Sequence, residues 1–190
     1  MKKIVIAGGT GFLGTCLTKF YSAKGYEVCI LSRQHRIDYD NVKHFKWDGK
    51  NLGYWTDILE GSEAVINLNG KSVDCRYTRK NKQLIYDTRI DSTIAIGNAL
   101  IRCNEPPKLW ANAGSATIYR HSLDKDMTEK DGEIGSGFSV DVCKKWEDAF
   151  NSFRLPATRK IILRTGIVLG KNNGPFIPLK ILARMGLGGR

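Results

Sequence analysis

The chain has 190 residues, 42% hydrophobic and 26% charged, an ordinary composition for one folded domain with a sizeable core and not that of a disordered or fibrous chain. Its 30 lysines and arginines against 19 aspartates and glutamates leave a formal charge of +11, but the bases after the last acid, Asp148 (Arg154, Arg159, Lys160, Arg164, Lys171, Lys180, Arg184 and Arg190), are scattered and lack interleaved aromatics, which argues against nucleic acid. No apolar run is long enough for a membrane span, and five cysteines (16, 29, 75, 103, 143), odd in number and without a C-x-x-C pair, point to reduced thiols in a cytoplasmic protein.

Met1-Lys-Lys precedes an apolar run of only Ile4 to Ala7, too short for the core of an export signal. Lys3 to Ala7 reads as a strand that runs into glycines at 8, 9, 11 and 14. Phe12 to Lys24 follows as a helix, with Phe12, Leu13, Cys16, Leu17 and Phe20 expected on one face. Glu27 to Leu31 and Val42 to Trp47 are β-rich, Trp55 to Glu60 is a short helix, and Ala64 to Leu68 is a fourth strand ending at Asn69-Gly70. A long helix is predicted from about Thr78 to Cys103, with Leu84, Thr88, Ala95, Ala99 and Cys103 recurring at helical steps, until Asn104-Glu-Pro-Pro stops it. Lys108 to Ala113 is a fifth strand, Phe138 to Phe153 a helix and Lys160 to Thr165 a sixth strand. This alternation, with strands apolar on both faces, predicts an α/β fold with a doubly wound parallel sheet of the Rossmann type.

The first turn carries the most chemistry. A dinucleotide needs a glycine for the tight turn after the strand (Gly8 or Gly9), one where backbone approaches the pyrophosphate (Gly11), and one that lets the helix pack on the sheet (Gly14). The second strand ends in Ser32-Arg33, where a site for NAD would place an acid against the ribose 2′-hydroxyl. Serine and a planar guanidinium suit a 2′-phosphate instead, with Arg36 in reserve, so NADP is expected over NAD. Asn67-Leu68-Asn69-Gly70 stands at the topological switch point and reads equally as a cleft lining or an Asn-Gly turn; Gly114 to Tyr119 after the fifth strand is a turn with hydroxyls near the cleft. Trp110 is expected in the core. No metal ligand set is evident.

Together these pieces resemble the extended short-chain dehydrogenase/reductases. More narrowly, Ala64 to Gly70, Asp87-Thr-Arg-Ile-Asp-Ser-Thr93, Cys143-Lys-Lys-Trp-Glu147, Arg164 to Gly170 and Gly186-Leu-Gly-Gly189 are similar to the atypical epimerase-like branch, NAD-dependent epimerase/dehydratases commonly labelled nucleoside-diphosphate-sugar epimerase or cell-division inhibitor. The resemblance implies an NADP site made of Gly8, Thr10, Gly11, Phe12, Leu13 and Gly14, Ser32 and Arg33, Leu68, Asn69 and Gly70, and, as residues that chemistry alone did not single out, Arg89 and Val168. The alternative for Arg89 is a surface pairing with Asp87 or Asp91.

Two departures stand out. The superfamily's Tyr-x-x-x-Lys positions hold Ser139 and Cys143, which leaves Ser115 and Tyr119 as the catalytic candidates by position. Family members also continue for roughly a further hundred residues, so residues 1–170 are expected to form the NADP-binding domain and 171–190 the start of a substrate lobe that is largely absent, leaving an exposed sheet edge or apolar patch beside strand six. The function expected is NADP-dependent oxidoreductase or epimerase chemistry, by hydride transfer on a hydroxyl- or carbonyl-bearing small molecule, nucleotide sugars included; the alternative is a non-catalytic NADP-binding sensor. The partners expected are the small-molecule substrate and, compatibly, a second copy of the chain, with no nucleic acid and no membrane.

Overall fold

The computed structural model describes residues 1–34, 36–170 and 173–188. Lys171, Gly189 and Arg190, singled out above, lie outside the described residues. The chain runs β1 (Lys3–Ala7), α1 (Phe12–Ala23), β2 (Glu27–Ser32), β3 (Val42–Lys46), a 3-10 turn (Tyr54–Leu59), β4 (Ala64–Asn67), α2 (Arg79–Ile101), β5 (Leu109–Ser115), a second 3-10 turn (Ala116–Ile118), α3 (Phe138–Asn151), β6 (Arg159–Thr165) and α4 (Phe176–Arg184). The strands form one parallel sheet in the order β3-β2-β1-β4-β5-β6. This is an α/β Rossmann-like architecture, and the order reverses direction between β1 and β4. All the predicted strands are present, with ends displaced by one or two residues.

Strand alternation sends the two faces of the sheet to two cores. Val5, Ala7, Cys29, Leu31, Val65 and Trp110 meet the buried faces of α2 and α3 (Ala95, Ile96, Leu100, Phe150). Trp110 is fully buried, edge-on to Phe150 at 4.4 Å between ring centroids, as expected. On the other face Ile4, Ile6, Val28, Ile30 and Ile66 pack against Leu17 and Tyr21 of α1.

Two predicted helix faces are borne out only in part. In α1 Leu17 packs on the sheet as expected, beside buried Gly14 and Thr18, while Cys16 and Phe20 face outward, Phe20 at 52% exposure. The reason is steric: the helix comes down on the glycine loop at its glycine, and that contact sets its rotation more firmly than the apolar side chains do. In α2, Leu84 is exposed and Ile85 is buried in its place.

At the far edge, among the described residues, β6 pairs with β5 alone. Leu163, Ile167, Val168 and Leu169 are exposed there, and α4, apolar through most of its length, has no buried residue. The patch expected beside strand six is therefore present. Among the described residues no helix is long and apolar enough to cross a membrane.

Candidate functional site

The carboxyl ends of β1, β2, β4 and β5 bring four turns to one rim of the sheet, and the candidate residues lie on them, at the start of α1, on α2 (Arg89) and after β6 (Val168). Gly8 adopts φ +78°, a left-handed conformation that glycine alone enters without strain; its N–H extends the β1–β2 ladder to Leu31 O at 3.0 Å, and its carbonyl accepts from Gly11 N at 3.3 Å within the turn. A Cβ on Gly14 would stand 2.5 Å from Gly9 Cα, so α1 approaches the loop as closely as only glycine allows. Gly11 differs: a Cβ there would meet nothing nearer than Gly8 O at 3.7 Å, so among the described residues no atom requires a glycine at this position. The open space lies where α1 begins, and there the helix has neither a capping side chain nor an acid in its first turn. Its leading N–H groups are thus offered outward, with the positive end of the helix dipole behind them. Thr10, Phe12 and Leu13 share this turn; the Phe12 ring packs under Gly170 and Gly174, and the Gly174 position in turn abuts Val168 O, which brings the Val168 loop beside the start of α1.

At the switch point the turn after β4 is held from three sides. Asn67 is buried and donates to Asn112 Oδ1 (2.7 Å) and Thr93 Oγ1 (3.2 Å), while its own Oδ1 accepts from Asn69 N. Trp146 Nε1 donates to the same Thr93 hydroxyl at 3.0 Å, so one buried polar network ties β4, β5, α2 and α3 together. Thr88 Oγ1 accepts from Lys71 N at 2.9 Å. Within this rigid frame the Asn69 Nδ2 amide is buried without a hydrogen-bond partner.

Arg89 completes the turn. Its Nη1 donates to Lys71 O (3.1 Å) and Ile85 O (3.0 Å), its guanidinium lies 5.2 Å from the Trp146 ring, and a Cβ on Gly70 would come within 3.0 Å of its Cζ. The surface pairing with Asp87 or Asp91 is not formed: Asp87 accepts from Gln83, and Asp91 faces Lys50. Burial holds the Arg89 pKa below its ordinary value, because among the described residues no carboxylate compensates the charge. A largely buried cation thus stands uncompensated against a turn of small residues at this rim of the sheet.

Beyond β2, Ser32 is buried and Arg33 exposed. The Ser32 hydroxyl donates to Gln34 O at 2.6 Å, so in this arrangement it can only accept, and the donor chemistry expected of it falls to Arg33.

Beyond β5, Ser115 Oγ lies 2.9 Å from Thr117 Oγ1, which in turn lies 3.5 Å from Cys143 Sγ. Tyr119 accepts from Arg164 Nη1 at 2.6 Å, and Arg164 makes a two-toothed pair with Glu147 at 2.8 and 2.7 Å. The hydrogen bonds to Glu147 raise the Arg164 pKa above its ordinary value. Sequence reading missed this trio, for its members are 17 and 45 positions apart and come from three elements, Arg164 from β6, Glu147 from α3 and Tyr119 from the end of the second 3-10 turn. Tyr119 and Ser139, the latter at the superfamily's tyrosine position, line a cleft of about 500 Å³ together with Thr117, Arg120, His121 and Ser136. Arg120 is clasped by Asp124 and Glu133, so its charge is matched locally, and the bond to Arg120 pulls the Glu133 carboxyl down to about 2. Lys144 and Lys145 face outward from α3, Lys145 pairing with Asp141. Among the described residues no group of three His, Cys, Asp or Glu could hold a metal ion.

The family model described as the NAD dependent epimerase/dehydratase family matches residues 4–140. The bovine (Bos taurus) epimerase family protein SDR39U1 is 30% identical over 192 residues, covering 98% of this chain and 61% of that protein. The crystal structure of human epimerase family protein SDR39U1 (isoform 2) with NADPH has a TM-score of 0.80 at 28% identity, over 98% of this chain and 61% of that one. A nucleoside-diphosphate sugar epimerase from Corynebacterium glutamicum gives a TM-score of 0.78 at 25% identity, over all of this chain and 38% of the other. The chain thus spans about 61% of the length of the SDR39U1 proteins it matches.

Proposed function

The chain belongs to the NAD dependent epimerase/dehydratase family, and from that premise we propose that it binds NADP(H) across the carboxyl ends of β1, β2 and β4 and supports hydride transfer on a small molecule bearing a hydroxyl or carbonyl. The observation that carries the reading is Arg89, a largely buried guanidinium beside Gly70 that has no carboxylate partner among the described residues. The open space over Gly11 and the unpartnered Asn69 amide support it, since both fit a group the chain itself does not supply. The human SDR39U1 structure, crystallised with NADPH, favours the same cofactor class.

In this reading Gly8, Thr10, Gly11, Phe12, Leu13 and Gly14 take the pyrophosphate on the N–H groups of α1, Arg33 pairs with the 2′-phosphate, and Leu68, Asn69, Gly70, Arg89 and Val168 position the ribose and nicotinamide half. When bound, the nicotinamide accepts or donates the hydride. The chain's part is orientation and electrostatics, with Ser115 and Tyr119 as the hydroxyls that hold or move a proton at the substrate oxygen. A nucleotide sugar, the substrate class named for the Corynebacterium relative, is one candidate.

Ser139 and Cys143 in place of Tyr-x-x-x-Lys favour a second reading, a cofactor-binding sensor without turnover. NADPH oxidation against a panel of carbonyl substrates separates the two. Turnover that falls at least tenfold in Ser115→Ala supports catalysis through that hydroxyl. Unchanged turnover in Ser115→Ala removes it from the mechanism, and no turnover with intact NADPH binding leaves the sensor.

A further inference from the structure

The cleft beyond β5 is lined by Thr117 and Tyr119 on one side and by Ser136 and Ser139, at the start of α3, on the other. Thr117 joins it to the Ser115 hydroxyl at 2.9 Å. Tyr119 enters this cleft with little freedom. Its main chain bridges to Ile134, and Gly132 lies so close over its ring that a Cβ there would stand 2.5 Å from Cε1. The other constraint is Arg164, whose Nη1 donates to the Tyr119 oxygen at 2.6 Å and whose guanidinium lies 5.1 Å from the centre of the ring.

Arg164 is itself fixed. Its Nε and Nη2 donate to the two oxygens of Glu147, a buried residue of α3, at 2.8 and 2.7 Å. The fork therefore has one geometry, and its remaining arm ends on the phenol. A tyrosine hydroxyl can accept and can donate one proton. Here the accepting side is taken by a charged donor, while among the described residues no acceptor takes the proton. Asp124 and Glu133, carboxylates of the neighbouring segment, are engaged by Arg120. Accepting a charge-assisted bond polarises the O–H and makes it the better donor, and the repulsion of the guanidinium turns that proton away from Arg164.

Resting on the oxidoreductase reading above, we propose that Arg164 is a positioning residue for Tyr119, held by Glu147, which aims the phenol proton at a substrate oxygen in the cleft. In the reducing direction the substrate's carbonyl carbon takes a hydride from NADPH, the C=O π pair moves to the oxygen, and the Tyr119 proton completes the new hydroxyl. Water then returns a proton to the phenol oxygen. Arginine stays charged throughout and faces the oxygen that gives up the proton, while Glu147 keeps the cleft free of a bare cation. Arg164 acts only through Tyr119, so removing either group should cost the same step.

The test uses the full chain, NADPH and whichever carbonyl of the panel gives turnover. Tyr119→Phe and Arg164→Met each lower kcat at least about tenfold, with KM and the NADPH dissociation constant within about twofold of wild type. The double variant is no slower than Tyr119→Phe alone, and Arg164→Lys, which keeps one donor for the phenol, recovers part of the loss. A merely structural role gives losses that multiply in the double variant, and that result overturns the proposal. So does a kcat unchanged in Tyr119→Phe, a variant that keeps the packed ring and decides the matter even if Arg164→Met fails to fold. Wild type that turns over while Tyr119→Phe matches it removes this proposal alone; wild type that binds NADPH without turning over any carbonyl removes the oxidoreductase reading with it.

Discussion

Gly11 and Gly14 stand three residues apart in one loop, and alanine at each should act through different physics. A Cβ on Gly14 would lie 2.5 Å from Gly9 Cα and 2.6 Å from Gly9 C, backbone atoms with little freedom to retreat. Overpacking against a fixed neighbour costs up to about 3 kcal/mol, and alanine's better helix propensity returns about 1 kcal/mol, a net loss near 2 kcal/mol. For a chain of this size that is a fall of about 4–8 °C in Tm. A Cβ on Gly11 meets only Gly8 O at 3.7 Å, so the fold loses no more than the weaker capping tendency of alanine, about 0.5–1 kcal/mol and about 1–4 °C. The methyl group nevertheless occupies the space assigned to the pyrophosphate, and NADPH affinity should fall at least about tenfold, or ~1.4 kcal/mol. Thermal unfolding followed by circular dichroism, paired with NADPH titration, separates the two variants. A Gly11→Ala chain that binds NADPH like wild type refutes the placement of the pyrophosphate, and a Gly14→Ala chain that melts with wild type refutes the steric account of the loop.

Arg89→Met should weaken NADPH about tenfold while leaving stability within about 1 kcal/mol, because a buried cation without a carboxylate contributes little to folding; a large loss of Tm in chemical-denaturation or thermal melts would assign Arg89 to the scaffold instead. Glu147→Gln breaks the two-toothed pair with Arg164, whose partners are 10% and 24% exposed, and should cost about 2–4 kcal/mol in urea unfolding; an unchanged midpoint would mean the pair is replaceable by water. Burial pushes the thiols of Cys29 and Cys103 up to about 11, so at neutral pH a disulfide reagent should modify exposed Cys16 well before either, with mass spectrometry reporting the order; early labelling of Cys29 would show that the β2 core opens readily.

The fold was legible where local pattern and tertiary role agree. Apolar runs marked β1, β2, β4, β5 and β6, and the glycine spacing after β1 identified the loop because Gly8 and Gly14 answer separate steric demands of the chain and Gly11 leaves space for a ligand. The rotation of α1 was not legible, since counting apolar residues favours Phe20 and Cys16 inward, whereas the contact of Gly14 with Gly9 turns Thr18 inward. α4 went unread because Pro175 and Pro178 suggest interruption, yet both fall at the start of the helix, where a missing N–H is tolerated.

In the site, Ser32 and Arg33 could be placed from the end of β2, but the hydroxyl bond from Ser32 to Gln34 is a turn detail that no pattern announces. Arg89 drew attention only through family resemblance; its lack of a carboxylate is a property of packing. The Tyr119, Arg164 and Glu147 cluster joins a turn, β6 and α3, segments far apart in the chain, and their packing has to be known before such a group can be read.

The most direct test of the central proposal is a titration of the purified chain with NADPH and with NADH, following quenching of tryptophan emission, to which Trp146 beside Arg89 contributes, in wild type and in Arg33→Ala. Tighter binding of NADPH than of NADH, with the difference abolished in Arg33→Ala, is the predicted result; binding of neither cofactor, or equal binding that Arg33→Ala leaves unchanged, would contradict it.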